Sequence, residues 1–107
     1  MDLLAFLHAR LDDDERLGTL HTRVADEIGL AADPCDPRGG IRIVADAAAK
    51  RRMVERADAA IHLADETPEG APNAAQRQGQ AAAWEAVLEF LTEPYADHPD
   101  YDPEWKP

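Results

Sequence analysis

The sequence has one cysteine, no long apolar run and no strand-like segment, and each of these absences excludes a class of protein. Cys35 alone cannot form an internal disulfide, which agrees with a reducing compartment. No apolar run approaches the roughly 18 residues needed to cross a bilayer, and the N-terminus lacks a basic leader with a cleavage site. We therefore expect a cytoplasmic protein without a membrane segment.

Strand signals are missing as well. The sequence has no period-two run of branched or aromatic residues, and it has neither an Asn-Gly nor an Asp-Gly turn. With 107 residues, the chain is long enough for one domain with a modest core. The fold class predicted from these observations is all-α.

Apolar residues at three- and four-residue spacing predict a first helix over residues 3–29, which Asp2 can cap. Gly18, near its middle, costs about 1 kcal/mol relative to alanine, and a kink or break there is the main risk to the prediction of one long helix. Residues 31–40 contain two prolines and two glycines, so they are predicted to form a loop.

A second helix is predicted over residues 41–65, with a narrow stripe of small apolar side chains. Asn73 is a candidate cap for a third helix that continues through about Thr92. The predicted fold is a long antiparallel helical hairpin with the third helix beside it. Its domain organisation is a three-helix domain over residues 1–93 followed by a tail over residues 94–107.

The tail holds four of the eight prolines, both tyrosines and one of the two tryptophans. We expect it to be extended but ordered, and to pack on the helices, because its aromatic rings would otherwise leave a large apolar area in water. His98 is expected to be a turn residue whose ring makes a local hydrogen bond.

Charge is distributed unevenly around a net value of −11, which disfavours direct binding to nucleic acid. An acidic run precedes the middle of the first helix, and a basic cluster lies in the second helix. The two groups are Asp12, Asp13, Asp14 and Glu15, and Lys50, Arg51, Arg52 and Arg56. A hairpin about residues 31–40 would bring them together, so we predict that Asp14 or Glu15 pairs with Arg52 or Arg56.

Catalytic chemistry has little support in the sequence. Asp12 to Glu15 and Glu55 to Asp58 imitate the paired carboxylates of all-helical pyrophosphohydrolases of the MazG type, but the gap between them is long and basic residues lie between. The four histidines are scattered, and no phosphate loop or nucleophile motif is present. We predict no enzymatic activity, no cofactor and no metal site.

Three segments carry a resemblance to a known family. They run from Asp2-Leu3-Leu4 to Asp14-Glu15, from Ala49-Lys50-Arg51-Arg52 to Val54, and from Pro94-Tyr95-Ala96-Asp97-His98 to Trp105. They resemble a family of short uncharacterised proteins from actinobacteria and their phages, with the motifs F-L-x-A-R-L-D-E-D-E, E-A-K-R-R-I and L-P-Y-A-D-H-P-D-Y-x-x-E-W. The chain departs from these motifs at Asp13 and at Ala47-Ala48. The resemblance implies a phage- or prophage-associated accessory protein, and it brings no activity or cofactor.

The leading hypothesis is therefore a protein-protein interaction module, which could also be a homodimer. One alternative is an acidic nucleic-acid mimic that inhibits a DNA-binding protein, and another is a metal-dependent nucleotide hydrolase. The residues predicted to make the interaction are Asp12, Asp13, Asp14, Glu15, Arg51, Arg52, Tyr95, His98, Tyr101 and Trp105.

Overall fold

The computed structural model of the chain describes residues 2–27 and 39–106, without the side chains of residues 25 and 26. Three helices form this part of the chain, and two 3₁₀ turns follow them. The helices are α1 (Leu3–Glu27), α2 (Gly39–Glu66) and α3 (Ala74–Thr92), and the turns are Glu93–Tyr95 and Pro103–Trp105. Neither described range contains a strand, and the predicted all-α class is confirmed. Most of the predicted loop, including Cys35, and the last two residues of the predicted first helix lie outside the described residues.

The helix starts differ in how well the sequence predicted them. Asp2 caps α1 as predicted, because its Oδ1 accepts a hydrogen bond of 2.7 Å from the backbone N–H of Ala5. Asn73 occupies the N-cap position of α3 as predicted, but its side chain makes no capping hydrogen bond. The start of α2 was predicted too late, since Gly39 and Gly40 are already helical.

The chain divides into two compact units, each formed from parts that are distant in sequence. We call residues 8–51 the crossing unit, because two helices cross there, and we call residues 1–7 with 52–107 the aromatic unit. Both α1 and α2 contribute to each unit. The predicted division into a three-helix domain and a tail, between residues 93 and 94, does not coincide with the boundaries of these units and stays a prediction.

In the crossing unit, α1 and α2 run antiparallel and approach each other at two glycines. A Cβ atom added to Gly18 would lie 2.8 Å from the carbonyl oxygen of Gly40 and 3.0 Å from Cγ2 of Ile43 and of Val44. A Cβ atom on Gly40 would collide with the Thr22 hydroxyl. The helices therefore contact each other through their backbones, and α1 continues through Gly18 without a break.

In the aromatic unit, the buried side of α2 is a row of small residues, as the sequence predicted. Val54, Ala57 and Ala64 are buried there, and α3 contributes Ala81 and Leu88 to the core. The connection between the two helices contains Gly70 at φ +85°, in the left-handed region that glycine tolerates.

The tail is ordered, as predicted, but it is not extended. Its two 3₁₀ turns each have a proline in the first turn, where the fixed φ of proline fits a helical start and its missing N–H costs nothing. Asp102 caps the second turn, because its Oδ1 accepts a hydrogen bond of 2.9 Å from the N–H of Glu104. The sequence analysis interpreted the prolines of the tail as signals of extended chain, but Pro94 and Pro103 instead lie at the starts of 3₁₀ turns.

Candidate interaction surfaces

Arg51 is the centre of the only charged cluster that the structure builds from the predicted interaction residues in the described part of the crossing unit. Its guanidinium donates to Asp12 Oδ1 at 2.7 Å and to Glu15 Oε1 at 3.2 Å. A third contact, of 3.2 Å, joins Nη1 to Nδ1 of His8. Because a guanidinium can only donate, Nδ1 of His8 accepts this hydrogen bond, and the neutral ring carries its proton on Nε2.

Electrostatics at this cluster favour the charged form of Arg51. Partial burial opposes the charge, but the hydrogen bonds that Arg51 donates to Asp12 and Glu15, and the negative charges of these residues, outweigh it. The pKa of Arg51 therefore lies above its ordinary value. The side chain of Arg51 is 25% exposed, so water still screens these ion pairs. The cluster joins α1 to α2 with a modest contribution to stability.

The sequence predicted the wrong partner for Glu15, and the arginine that it contacts is one residue before Arg52. Glu15 contacts Arg51, whereas Arg52 and Arg56 were predicted, and Arg52 is exposed. The prediction assumed a hairpin centred on residues 31–40. The backbone contact between Gly18 and Gly40 fixes the observed register, because a side chain at either position would collide with the opposite helix.

Other members of the two charged groups are paired within their own helix. Asp13 lies 3.2 Å from Arg10 and 3.9 Å from Arg16, and Lys50 lies 2.7 Å from Asp46. Within residues 2–27 and 39–106, no group of three or more histidine, cysteine, aspartate or glutamate side chains is arranged to hold a metal ion. Asp12, which the hydrolase hypothesis would make a metal ligand, is instead bound by Arg51.

The aromatic residues of the tail surround a single phenylalanine in the aromatic unit. Phe6 is fully buried, and four rings lie around it. The centroid distances from Phe6 are 6.3 Å to Tyr95, 5.7 Å to His98, 6.1 Å to Tyr101 and 5.1 Å to Trp105. Three of these pairs are edge-to-face, the arrangement that ring quadrupoles favour. The tail aromatics predicted as interaction residues are thus half-buried and pack against the start of the chain.

His98 has the local role that the sequence predicted for it. Its Nδ1 accepts a hydrogen bond of 3.1 Å from the backbone N–H of Asp100, which closes the turn between them. The ring also stands edge-on to Phe6. His98 therefore positions the tail on Phe6.

One surface was missed by the sequence analysis. Leu17, Leu20 and Val24 are 60%, 50% and 41% exposed, although their spacing placed them on the same stripe as the buried Leu7 and Leu11. Positions i, i+3 and i+7 share one helical face, so the three side chains form an uncovered apolar row on α1. Gly18 lies about 100° around the helix from Leu17, on the face that packs against Gly40, and it was the signal that α2 covers that face and not the apolar row.

An open apolar groove lies in the same unit. It has a volume of about 580 Å³ and is formed by Thr19, Thr22 and Arg23 of α1 and by five residues of α2 between Gly40 and Ala48. Ile41, at its edge, is 56% exposed. We call this groove together with Leu17, Leu20 and Val24 the apolar face of the crossing unit.

Comparison with protein families identified one match. The model of a family of unknown function, DUF6221, matches residues 1–107. Comparisons with curated proteins and with solved structures found no match. A search of the described helices for a segment long and apolar enough to cross a membrane found none.

Proposed function

We propose a function for this chain on the premise that it belongs to DUF6221, the family of unknown function whose model matches residues 1–107. The chain is an accessory protein that acts by binding another protein. Its setting is the cytoplasm of a bacterial host, in association with a phage or prophage, which is what its motifs imply. The proposal assigns it no catalytic role and no cofactor.

The apolar face of the crossing unit carries this proposal. Soluble monomers rarely leave large apolar side chains exposed together, and such patches are typical of binding surfaces. Leu17, Leu20 and Val24 form a row at helical spacing, and Ile41 lies at the edge of the neighbouring groove. A helix with an apolar stripe can bind such a surface through side chains at the same spacing.

A second copy of the chain is one partner that this surface would accept. Two copies related by a two-fold axis would bring the same row of leucines together, since such an interface is self-complementary. The homodimer is therefore the form of the proposal that purified protein can test. Light scattering should show twice the mass of one chain at high concentration if the proposal holds in this form.

Site-specific crosslinking tests the general proposal. A benzoylphenylalanine placed at Leu20 should give discrete crosslinked species in host lysate or with purified protein. The matched control is the same residue at Gln78, which is exposed on α3. Replacing Leu17 and Val24 by serine should abolish the species formed from position 20, because it removes the apolar contacts on either side of that position. Both side chains are exposed, so their loss leaves the core intact. Equal crosslinking from positions 20 and 78 would contradict the proposal.

The alternative of a nucleic-acid mimic is favoured by the charge of the aromatic unit. This unit has thirteen acidic and four basic side chains, a net charge of −9 out of −11. Glu85 and Glu89 also lie four residues apart on one face of α3, and Glu93 begins the 3₁₀ turn that follows this helix. A mimic should recover basic DNA-binding proteins from a lysate and lose them as salt rises, whereas binding through the apolar face should resist salt.

The absence of enzymatic activity is part of the proposal and has its own test. Calorimetric titration with magnesium and manganese should detect no tight binding, because Arg51 neutralises Asp12 and Glu15. Micromolar binding that is lost in Asp12→Asn would instead favour the metal-dependent nucleotide hydrolase.

A further inference from the structure

The aromatic unit contains a second groove, whose lining differs from that of the apolar face. Its volume is about 370 Å³, and five of its residues are apolar: Leu3, Leu4, Ile61, Leu88 and Trp105. The remaining lining residues are the carboxylates Asp2, Glu85 and Glu89. The groove thus joins an apolar floor and an indole ring with three acidic side chains, and no lysine or arginine lines it.

The three carboxylates are not neutralised by the rest of the described chain. Neither Glu85 nor Glu89 forms an ion pair with a described residue, and they lie one turn apart on α3, a spacing at which like charges repel. One oxygen of Asp2 caps α1, and the side chain remains exposed. Arg77, the basic residue of α3, does not line the groove, and its Nη1 donates a hydrogen bond of 2.8 Å to Oγ1 of Thr67. The groove therefore has negative charge at its edge that no described residue neutralises.

We propose that this groove binds an arginine side chain of a partner protein. The methylene stem lies on Leu3, Leu4 and Leu88, the guanidinium pairs with Glu85 and Glu89, and the planar head stacks on Trp105. The inference deepens the proposed protein-binding function, on which its biological role rests, by naming the chemistry of the partner.

Three features of a guanidinium group match the carboxylates, the apolar floor and the indole ring of this groove. A guanidinium binds carboxylates through two parallel N–H donors, so it can pair with two glutamates one turn apart. It is more weakly hydrated than an ammonium group and loses less on contact with an apolar floor. Indole is also the aromatic ring that attracts a cation most strongly. A neutral apolar side chain would leave the carboxylates without partners.

The test is a titration of the purified, ¹⁵N-labelled full chain with n-butylguanidinium, which reproduces an arginine side chain. The indole N–H resonance of Trp105 reports on the groove, and that of Trp84, which does not line it, is an internal reference. We expect a saturable shift of the Trp105 resonance and no saturable shift of the Trp84 resonance. n-Pentanol, of similar length but uncharged, should bind more weakly by roughly fivefold or more if the ion pairs contribute as partly exposed pairs do.

Two double variants with equal net charge separate local from general electrostatics. Glu85→Gln with Glu89→Gln removes the carboxylates of the groove, and Glu55→Gln with Glu69→Gln removes two carboxylates of the same unit that do not line it. The first should raise the Kd for n-butylguanidinium roughly fivefold or more, because it removes two ion pairs. The second should change the Kd by less than about twofold, since salt screens more distant charges.

The proposal is overturned if the Trp105 resonance does not shift saturably, if n-pentanol binds as tightly as the cation, or if both double variants weaken binding equally. All four substituted glutamates are at least partly exposed, so each variant should fold. The amide spectrum of each variant is the control for folding. The titration needs no partner protein. A negative titration thus leaves the crosslinking test of the apolar face intact, and a negative crosslinking result leaves the arginine site intact.

Discussion

The two units of this protein are stabilised in opposite ways, although α1 and α2 contribute to both. In the crossing unit the helices touch through backbone atoms at Gly18 and Gly40, and the apolar row of Leu17, Leu20 and Val24 remains exposed. In the aromatic unit, four rings surround Phe6, and the large side chain is at the centre. The apolar residues of α1 recur at the same spacing in both units, yet α1 packs through its backbone in one unit and through a buried ring in the other.

The units also differ in charge. The crossing unit has nine acidic and seven basic side chains, a net charge of −2, whereas the aromatic unit has −9. The near-neutral unit exposes an apolar face, and the acidic unit exposes carboxylates around a groove. Each unit therefore offers a surface of a different chemistry, and the two proposals above can be tested separately.

The largest effect is expected from Phe6→Ala, which removes the ring at the centre of the aromatic unit. Replacing a buried phenylalanine by alanine costs about 3–5 kcal/mol of unfolding free energy. Urea denaturation measures this loss, and Phe90→Ala is the matched control, because Phe90 is 59% exposed. Similar losses in the two variants would show that the tail does not enclose Phe6 in solution.

The next effect concerns the backbone contact of the crossing unit. Gly18→Ala places a Cβ atom 2.8 Å from the Gly40 carbonyl oxygen, so we expect a loss of about 1–3 kcal/mol from overpacking, despite the helix propensity of alanine. Gly79→Ala, on α3, is the control, because no atom lies within 4 Å of its added Cβ. There we expect a gain of up to about 1 kcal/mol. Thermal melting distinguishes the signs, and stabilisation by both substitutions would contradict the close helix crossing.

A smaller effect is expected at the Arg51 cluster. A double-mutant cycle with Arg51→Gln and Asp12→Asn should give a coupling of at most about 1 kcal/mol, because both side chains are partly exposed. The coupling should fall as salt rises. Coupling that is insensitive to salt would show that the cluster is more buried than its 25% exposure indicates.

The smallest effect is a pH dependence at His62 in the aromatic unit. Its ring lies 2.9 Å from the carbonyl oxygen of Asp58, and this hydrogen bond, together with the nearby carboxylate, raises the pKa of His62 above its ordinary value. A raised folded-state pKa contributes stability below the unfolded pKa of about 6.5, and this contribution disappears as pH rises through the folded pKa.

An NMR titration should therefore place the midpoint of His62 above 6.5, and Asp58→Asn should lower it. The difference in unfolding free energy between the wild type and His62→Gln should shrink as pH rises through that midpoint. An unchanged midpoint in Asp58→Asn would assign the raised pKa to the backbone carbonyl of Asp58 and the charge of Glu66.

The sequence predicted the fold class, the Asp2 cap and the small buried stripe of α2, because each follows from local spacing and local hydrogen bonding. It did not predict which apolar face of α1 is covered. Periodicity identifies a helix, but Leu11 and Leu20 carry the same apolar signal whether their face is packed or open. Gly18 determines which face is covered, because its missing side chain lets the backbone of α2 approach α1 there.

Within the candidate sites, residue types were easier to predict than partners. The pairing of Glu15 with a basic residue of α2 was foreseen, but the arginine was not, since register depends on the glycine contact. The aromatic rings of the tail were expected to pack on the helices, yet no local pattern singled out Phe6 as their common neighbour. Contacts between residues so distant in sequence leave no periodic signal.

The packing of Trp105 on Phe6 also has a consequence for how the protein is made. A ribosome synthesises Phe6 99 residues before Trp105, so the two rings can meet only after that stretch of chain has been made. Helices can form as the chain emerges, because their contacts are local, but the aromatic unit must wait for its tail. Until then the nascent chain exposes Phe6, and chaperones would have time to bind it.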